Sequence, residues 1–454
     1  MPRFDYSLSE RDTLQFGIGS GNPLCSALSM LPGTQEKVNH HHSPFARSQA
    51  PRVKLAYFDG LRGIAAFVVC ILHFLEASCL YHTPLFTELS RWPIFILWNG
   101  PLAVMLFYML SGRVLGLSFL NKDSLAPLAS AFIRRPLRLA LPLQAGTLLA
   151  FVSSRLGLYN YESVEVHSCW WYGATMPAED AYISLWRCLR LTWGIFFFLP
   201  AELPPYPGKV IWTIPFEYSG SFFVYTISAI LITLPKSKRV PYFSMYVLYL
   251  TFANTLNAPF ALGLLFALLR SQNALPLPTR RLKLSLWTMF ILLNFSYDPW
   301  MGDNVLLPTY CTLFVRWFQN NFSLPGSDLF KLDLYLAGAA FLLLVELDEE
   351  LQDFFSGPFP KFLGRVSFGL YLIHPHLLGM VVGKSYLVID NFFPFMLSGT
   401  SYYCFLLLMF VIYIPLSLYC GYLFTIFIDE PSVRLTAKLA AALLPHQEVQ
   451  LPRI

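Results

Sequence analysis

Residues 58–73 read Phe58-Asp59-Gly60-Leu61-Arg62-Gly63-Ile64-Ala65-Ala66-Phe67-Val68-Val69-Cys70-Ile71-Leu72-His73. A polar, glycine-punctuated start leads into an apolar run that ends on a histidine. As an α-helix the run holds Arg62 and His73 eleven residues apart, about three turns, so the two side chains share a face. A rise of about 1.5 Å per residue sets His73 roughly 16 Å further along the axis. With Arg62 at a membrane surface, His73 lies near the bilayer middle, where an ionisable group is costly and marks function by default. Periodicity alone favours a packing histidine. Glu76, one turn on, weighs against that reading, because it continues the same face with a third polar group.

The rest of the chain supplies the membrane. It has 454 residues, is 55% hydrophobic and 13% charged, and has a mean hydropathy of +0.51. A soluble domain carries about 25% charged residues. The composition predicts an all-α polytopic membrane protein with about ten transmembrane helices in one bundle. The apolar segments are 62–81, 94–116, 137–153, 211–233, 242–256, 259–269, 284–297, 332–347, 362–383 and 402–428. Stretch 183–199 carries Arg187 and Arg190 and reads as an interfacial or re-entrant helix, while 303–322 is ambiguous. With the N-terminus in the cytosol, most of the 32 lysines and arginines fall on the cytosolic side, the Lys236/Lys238/Arg239 and Arg280/Arg281/Lys283 loops most clearly. Both termini are therefore expected in the cytosol. The net charge of +5 comes without a basic–aromatic cluster, so no nucleic-acid partner is expected. Residues 1–55 read as a disordered cytosolic tail and 435–454 as a second cytosolic tail. The His40-His41-His42 triplet belongs to the first tail, and no metal site is expected. The eight cysteines form no CxxC pair. Cys169 and Cys188 share a predicted luminal loop and are candidates for a disulfide.

Four more polar groups need a reason. Arg135 and Arg138, in Arg134-Arg135-Pro136-Leu137-Arg138, share a face at a helix start. Two guanidinium groups there suit phosphates, although positive-inside anchoring also explains them. Glu217, in Trp212-Thr213-Ile214-Pro215-Phe216-Glu217, is expected about 9 Å inside its helix from the luminal side and facing the bundle interior, its bland reading being an interfacial glutamate paired with an Arg or Lys. His374, before Pro375, is expected about 18 Å deep, close to the depth of His73; helix packing at a proline kink is its bland reading. Asp429-Glu430-Pro431-Ser432 reads as a helix stop.

Together these motifs resemble the acyltransferase 3 family of integral-membrane acyltransferases. "FDGLRGIAA" with His73 resembles its first-helix signature, "FYMLSGRVL" its second-helix phrase, and Arg135/Arg138 its RxxR pair. "WTIPFEYSG" with Glu217, "LGRVSFGLYLIHP" with His374, and "DEPSVRL" resemble later phrases. The resemblance covers 56–434 and is similar in detail to fungal single-domain members. It implies transfer of an acyl group from acyl-CoA, with acetyl-CoA as donor, to a hydroxyl of a hydrophobic small molecule such as a terpenoid or other secondary metabolite. In that scheme His73, Glu217 and His374 are catalytic, with His73 favoured over His374 as general base. Arg62, Arg135 and Arg138 hold the CoA donor, and the enzyme sits in the endoplasmic reticulum or a related endomembrane. Competing readings are a proton-coupled transporter, an O-acetyltransferase of cell-surface glycans, and a regulatory protein with a dead site.

Overall fold

The computed structural model describes residues 56–444 except 81–82, 91–92, 124, 160, 162–163, 167–168, 172–181, 183, 198–205, 254 and 297–331. Helix α1 spans Ala56–Ala77 and carries the opening stretch in one unbroken run. A short α2 (Pro84–Ser90) and a 3₁₀ turn (Pro93–Trp98) lead to α3 (Gly100–Lys122). Asn99 caps α3 by accepting from the Leu102 amide, 3.0 Å, and Asp123 closes it in the left-handed region. Helix α4 (Ala126–Arg155) keeps Pro136 and Pro142 inside it.

A two-stranded antiparallel hairpin, β1 (Val164–Val166) with β2 (Cys169–Trp171), is the described exception to an all-helical chain. Helix α5 (Leu185–Gly194) has Ser184 as its N-cap and falls within the 183–199 stretch. A 3₁₀ turn, Pro207–Trp212, enters α6 (Thr213–Thr233). Next come α7 (Lys236–Phe252), α8 (Asn257–Ser271) and α9 (Arg280–Ser296). The break between α7 and α8 precedes Asn257, so Asn257-Ala258-Pro259 opens the second helix. After them come α10 (Leu332–Leu347), α11 (Glu349–Phe355), α12 (Pro358–Leu377) and α13 (Lys384–Phe392). The last two are α14 (Gly399–Phe424) and α15 (Glu430–Leu443). The 303–322 segment lies outside the described residues.

Nine of the ten predicted apolar segments fall within or largely overlap a single helix, and 94–116 runs from the Pro93–Trp98 turn into α3. Five described stretches are long and apolar enough to cross a bilayer: Ala56–Ala77, Gly100–Leu117, Pro127–Arg155, Pro358–Phe392 and Gly399–Leu443. Helices α7 to α10 fall short on length, at 15 to 17 residues.

Glycines set the closest helix pair. A Cβ on Gly364 of α12 would stand 2.6 Å from the Asp59 carbonyl carbon and 3.2 Å from the Gly60 amide of α1. The two backbones therefore approach as closely as small residues allow. Gly63 faces Gly364, and His73 faces His374. Each histidine follows its glycine by ten residues, one heptad plus three, so α1 and α12 run parallel along a coiled-coil-like seam. Elsewhere α3 packs on α8, α12 on α14, and α15 on α4. Beyond Pro375, the backbone widens into a π-helical stretch, Leu378–Gly383, of the kind often found beside functional sites.

Candidate functional site

The α1–α12 seam carries a line of polar groups. At its start Arg62 Nε donates to Ser367 Oγ, 3.2 Å, and an Nη atom donates to Asp59 Oδ1, 3.1 Å, and to the Gly364 carbonyl, 3.4 Å. Arg62 is half open and tied to both helices. Three turns on, His73 Nδ1 lies 2.8 Å from His374 Nε2, with the rings stacked at 6°. His374 Nδ1 lies 2.9 Å from the Leu370 carbonyl.

That carbonyl fixes the direction of the chain of bonds, because a carbonyl only accepts. His374 Nδ1 therefore carries a proton. With both rings neutral, His374 Nε2 is an acceptor, and His73 must donate to it from Nδ1. The remaining nitrogen, His73 Nε2, is left with its lone pair. Exposure separates the two rings. His374 is 0% exposed, whereas the His73 side chain is 22% open. A substrate can reach His73 and not His374. The arrangement supplies a reachable base held in one tautomer by a buried partner, the logic by which an orienting group serves a catalytic histidine. Tyr371 packs beside His374, and its hydroxyl meets the Val210 carbonyl and Thr213 Oγ1.

The other expected residues gather elsewhere. Arg135 ion-pairs with Glu217 and donates from Nε to Ser221 Oγ, 2.7 Å; Ser111 Oγ donates to the same Glu217 oxygen, 2.6 Å. Glu217 is thus brought to Arg135, not to His73. The reason is that α6 starts inside the bundle. Tyr206, before its leading turn, is fully buried and donates to the Leu372 carbonyl, 2.8 Å. Gly208, at φ +67°, sits against Pro375, a backbone conformation glycine adopts without strain. Arg135 and Arg138 are not aimed at one target either. Arg138 is exposed and has no hydrogen-bond partner among the described residues. The charges bearing on it are Asp429, Arg135, Arg62 and Arg134. Four guanidinium groups near one end of the bundle, with Arg138 open, give that end the cations that an anionic group such as a phosphate pairs with. Among the described residues no group of three or more His, Cys, Asp or Glu could hold a metal ion.

Several polar groups went unnoticed in the sequence. Arg113 Nε contacts Glu346 Oε1 at 2.5 Å with both side chains fully buried, and the guanidinium lies 5.0 Å over the Phe58 ring. His376, 1% exposed, meets the Tyr159 hydroxyl through Nδ1, 2.6 Å. Asp429, read as part of a helix stop, instead lies in the arginine cluster, in charge range of Arg138 and Arg62. Pairs from distant segments leave no periodic trace; two histidines spaced i,i+2 on one helix were the one available signal for His376. Cys188 is a buried thiol rather than half of a Cys169–Cys188 bridge, and Cys79 is disulfide-bonded.

Comparison with known proteins adds the family. The model of an acyltransferase domain (Acyl_transf_3) matches residues 55–426. Searches of curated proteins and of solved structures gave no match. The family match spans well over half of the chain, so this protein belongs to that acyltransferase family, and its apolar helices make it an integral membrane member.

Proposed function

We propose that this member of the acyltransferase family transfers an acyl group, acetyl in the first instance, from acyl-CoA to a hydroxyl of a hydrophobic small molecule. The observation that carries the reading is the Leu370–His374–His73 chain of hydrogen bonds, which leaves His73 Nε2 as an accessible lone pair. His73 is the general base. Its Nε2 takes the proton of the acceptor hydroxyl as that oxygen attacks the thioester carbonyl carbon. The new O–C bond forms, the C–S bond breaks, and the proton passes from the imidazolium to the leaving CoA sulfur. His374 acts through His73 as a positioning residue. Arg138 and Arg62 bind the donor's phosphates, and Glu217 keeps Arg135 in place among them.

The acceptor reaches His73 from the bilayer, which favours apolar acceptors such as a terpenoid or other secondary metabolite. Helices α6 to α10 add short or tilted spans to the five long ones, giving a bundle of about ten. The disulfide at Cys79, just past the end of α1, suits an oxidising lumen. It supports a cytosolic N-terminus and residence in the endoplasmic reticulum or a related endomembrane, with the donor arriving from the cytosol.

The test is to express the chain in microsomes with radiolabelled acetyl-CoA and an extract of hydroxylated metabolites of its host. Labelled ester should form and should vanish in His73→Ala at unchanged membrane level. Ester formation indifferent to that substitution removes His73 from the mechanism.

A further inference from the structure

Two hydrogen-bond acceptors lie close together in the site. With His73 Nδ1–H committed to His374, Nε2 carries a lone pair. The nearest charged group to it is Glu76 Oε2, 4.0 Å away. Glu76 lies one turn beyond His73 on the same face of α1. Its side chain is 27% open, and its carboxylate has no hydrogen-bond partner among the described residues. The proposed chemistry uses Nε2 and leaves this carboxylate unexplained.

With Glu76 ionised, the lone pair and the carboxylate cannot bond to each other, and both lack a donor. The 4.0 Å gap is too long for one hydrogen bond, yet two donors on neighbouring atoms could meet both acceptors at the usual ~2.7–3.0 Å. A lone alcohol has a single O–H proton. It satisfies Nε2 and leaves the carboxylate short, and a partly buried charge without a donor is costly. The nearby Tyr371 hydroxyl is already engaged by Val210 and Thr213, so the protein does not supply the missing donor from that side.

We propose that Glu76 is an acceptor-binding residue that reads a second hydroxyl, so that the acceptor is a vicinal diol acylated on one of its two oxygens. The inference rests on the acyl-transfer reading above. One hydroxyl gives its proton to His73 Nε2 and attacks the thioester. Its neighbour donates to Glu76, which changes neither charge nor protonation. A site built to bond a hydroxyl discriminates against the analogue that lacks it, because its own polar group is left unpaired. A hydrogen bond to a charged group corresponds to roughly tenfold to a hundredfold in kcat/KM.

The experiment uses the full chain in microsomes with radiolabelled acetyl-CoA and two probes matched in chain length, 1-dodecanol and 1,2-dodecanediol. The wild-type protein should favour the diol by roughly tenfold to a hundredfold in kcat/KM. Glu76→Leu, which removes the acceptor, should bring that ratio close to one, and Glu76→Gln, whose side-chain oxygen still accepts, should retain part of it. Should Glu76→Leu fail to accumulate, the wild-type ratio decides alone. A wild-type ratio near one, or a ratio unchanged in Glu76→Leu, overturns the assignment. If neither alcohol is esterified while acetyl-CoA consumption still depends on His73, the diol class is wrong and the chemistry stands. If consumption is indifferent to His73→Ala, the acyl-transfer reading itself fails.

Discussion

Substituting Gly364 by alanine tests the parallel seam directly. The new Cβ would lie 2.6 Å from the Asp59 carbonyl carbon, where ordinary contact begins at 3.4 Å. The helices must therefore separate by about 0.8 Å or more, since backbone cannot step aside as a side chain can. Carried along the seam, that shift stretches the 2.8 Å His73–His374 contact to about 3.6 Å, a distance that is no longer a hydrogen bond. His73 then loses the group that fixes its tautomer. Overpacking of this kind costs about 1–3 kcal/mol of stability, while a misplacement near 1 Å at a catalytic group costs about 10²-fold in rate. Gly263→Ala is the control. Its Cβ would meet the Arg113 amide at 2.8 Å, so α3 and α8 suffer a similar crowding away from the histidines. Thermal stability and labelled acetyl transfer, measured side by side, should show comparable losses in Tm and a far larger loss of turnover for Gly364→Ala. Equal turnover losses in the two variants, or wild-type turnover in Gly364→Ala, would refute the seam as the device that sets the dyad.

Replacing His374 with Phe should lower kcat by about 10²-fold or more with little change in the KM for donor, because it removes an orienting acceptor and no donor contact; a KM effect alone would contradict the positioning role. Arg138→Ala should raise the donor KM by about tenfold or more and spare the acceptor KM, since a charge-assisted bond to phosphate is worth about 1.5–3 kcal/mol, and the reverse pattern would move the donor site elsewhere. Arg113→Met alone should destabilise by about 3–5 kcal/mol by stranding the buried Glu346, whereas adding Glu346→Leu should recover most of it; Tm of the single and double variants decides. Asp123, outside the spans, accepts from Arg239 Nη1 at 2.7 Å, and that bond holds its carboxyl below the usual carboxylate range. A depressed folded value stabilises above the unfolded pKa of about 3.9 and is lost as pH falls through the folded value. The Tm gap between wild type and Asp123→Asn should therefore be present at pH 7 and close in acid below about pH 4, and a gap that persists there counts against the Arg239 bond.

What could be read in advance follows from which interactions are local. Helix existence is local, so each of the ten apolar segments falls on a described helix, while the short helices α2, α11, α13 and α15 had no apolar segment of their own. The equal depth of His73 and His374 was also legible, since it needs only a rise per residue and a common starting surface. That the two rings touch was not, because contact depends on Gly63 meeting Gly364 across roughly 300 residues of chain. Glu217 shows the opposite failure. Its depth was counted from a helix start assumed to lie at the membrane surface, whereas the Pro207–Trp212 turn is already inside the bundle. The extra depth is what brings Glu217 to Arg135. The Arg113–Glu346 pair could not be found at all, because the two residues are 233 apart in the chain and only packing brings them together.

In the proposed reaction the two ends of the site have different physical jobs, and α1 carries one residue of each, Arg62 and His73. The arginine end must hold a polyanion that also exchanges with water, so its cations are best left open, as Arg138 is. The histidine end must hold one neutral base in one tautomer, so its partner is best buried, as His374 is. A single straight helix separates the two by about 16 Å without a hinge, and the unbroken run from Ala56 to Ala77 provides that separation. A CoA thioester has the same division, with charge at one end and the reacting carbonyl at the other end of a flexible arm. The arm's freedom means that the protein need not match its length closely. It does need to keep the base off the charged end, because an arginine beside Nε2 would compete with the acceptor hydroxyl for the space and disfavour the imidazolium formed on proton transfer. The group found beside Nε2 is instead a carboxylate, Glu76, whose charge would favour that imidazolium, so on the proposed reading one residue would serve both the proton transfer and the choice of acceptor.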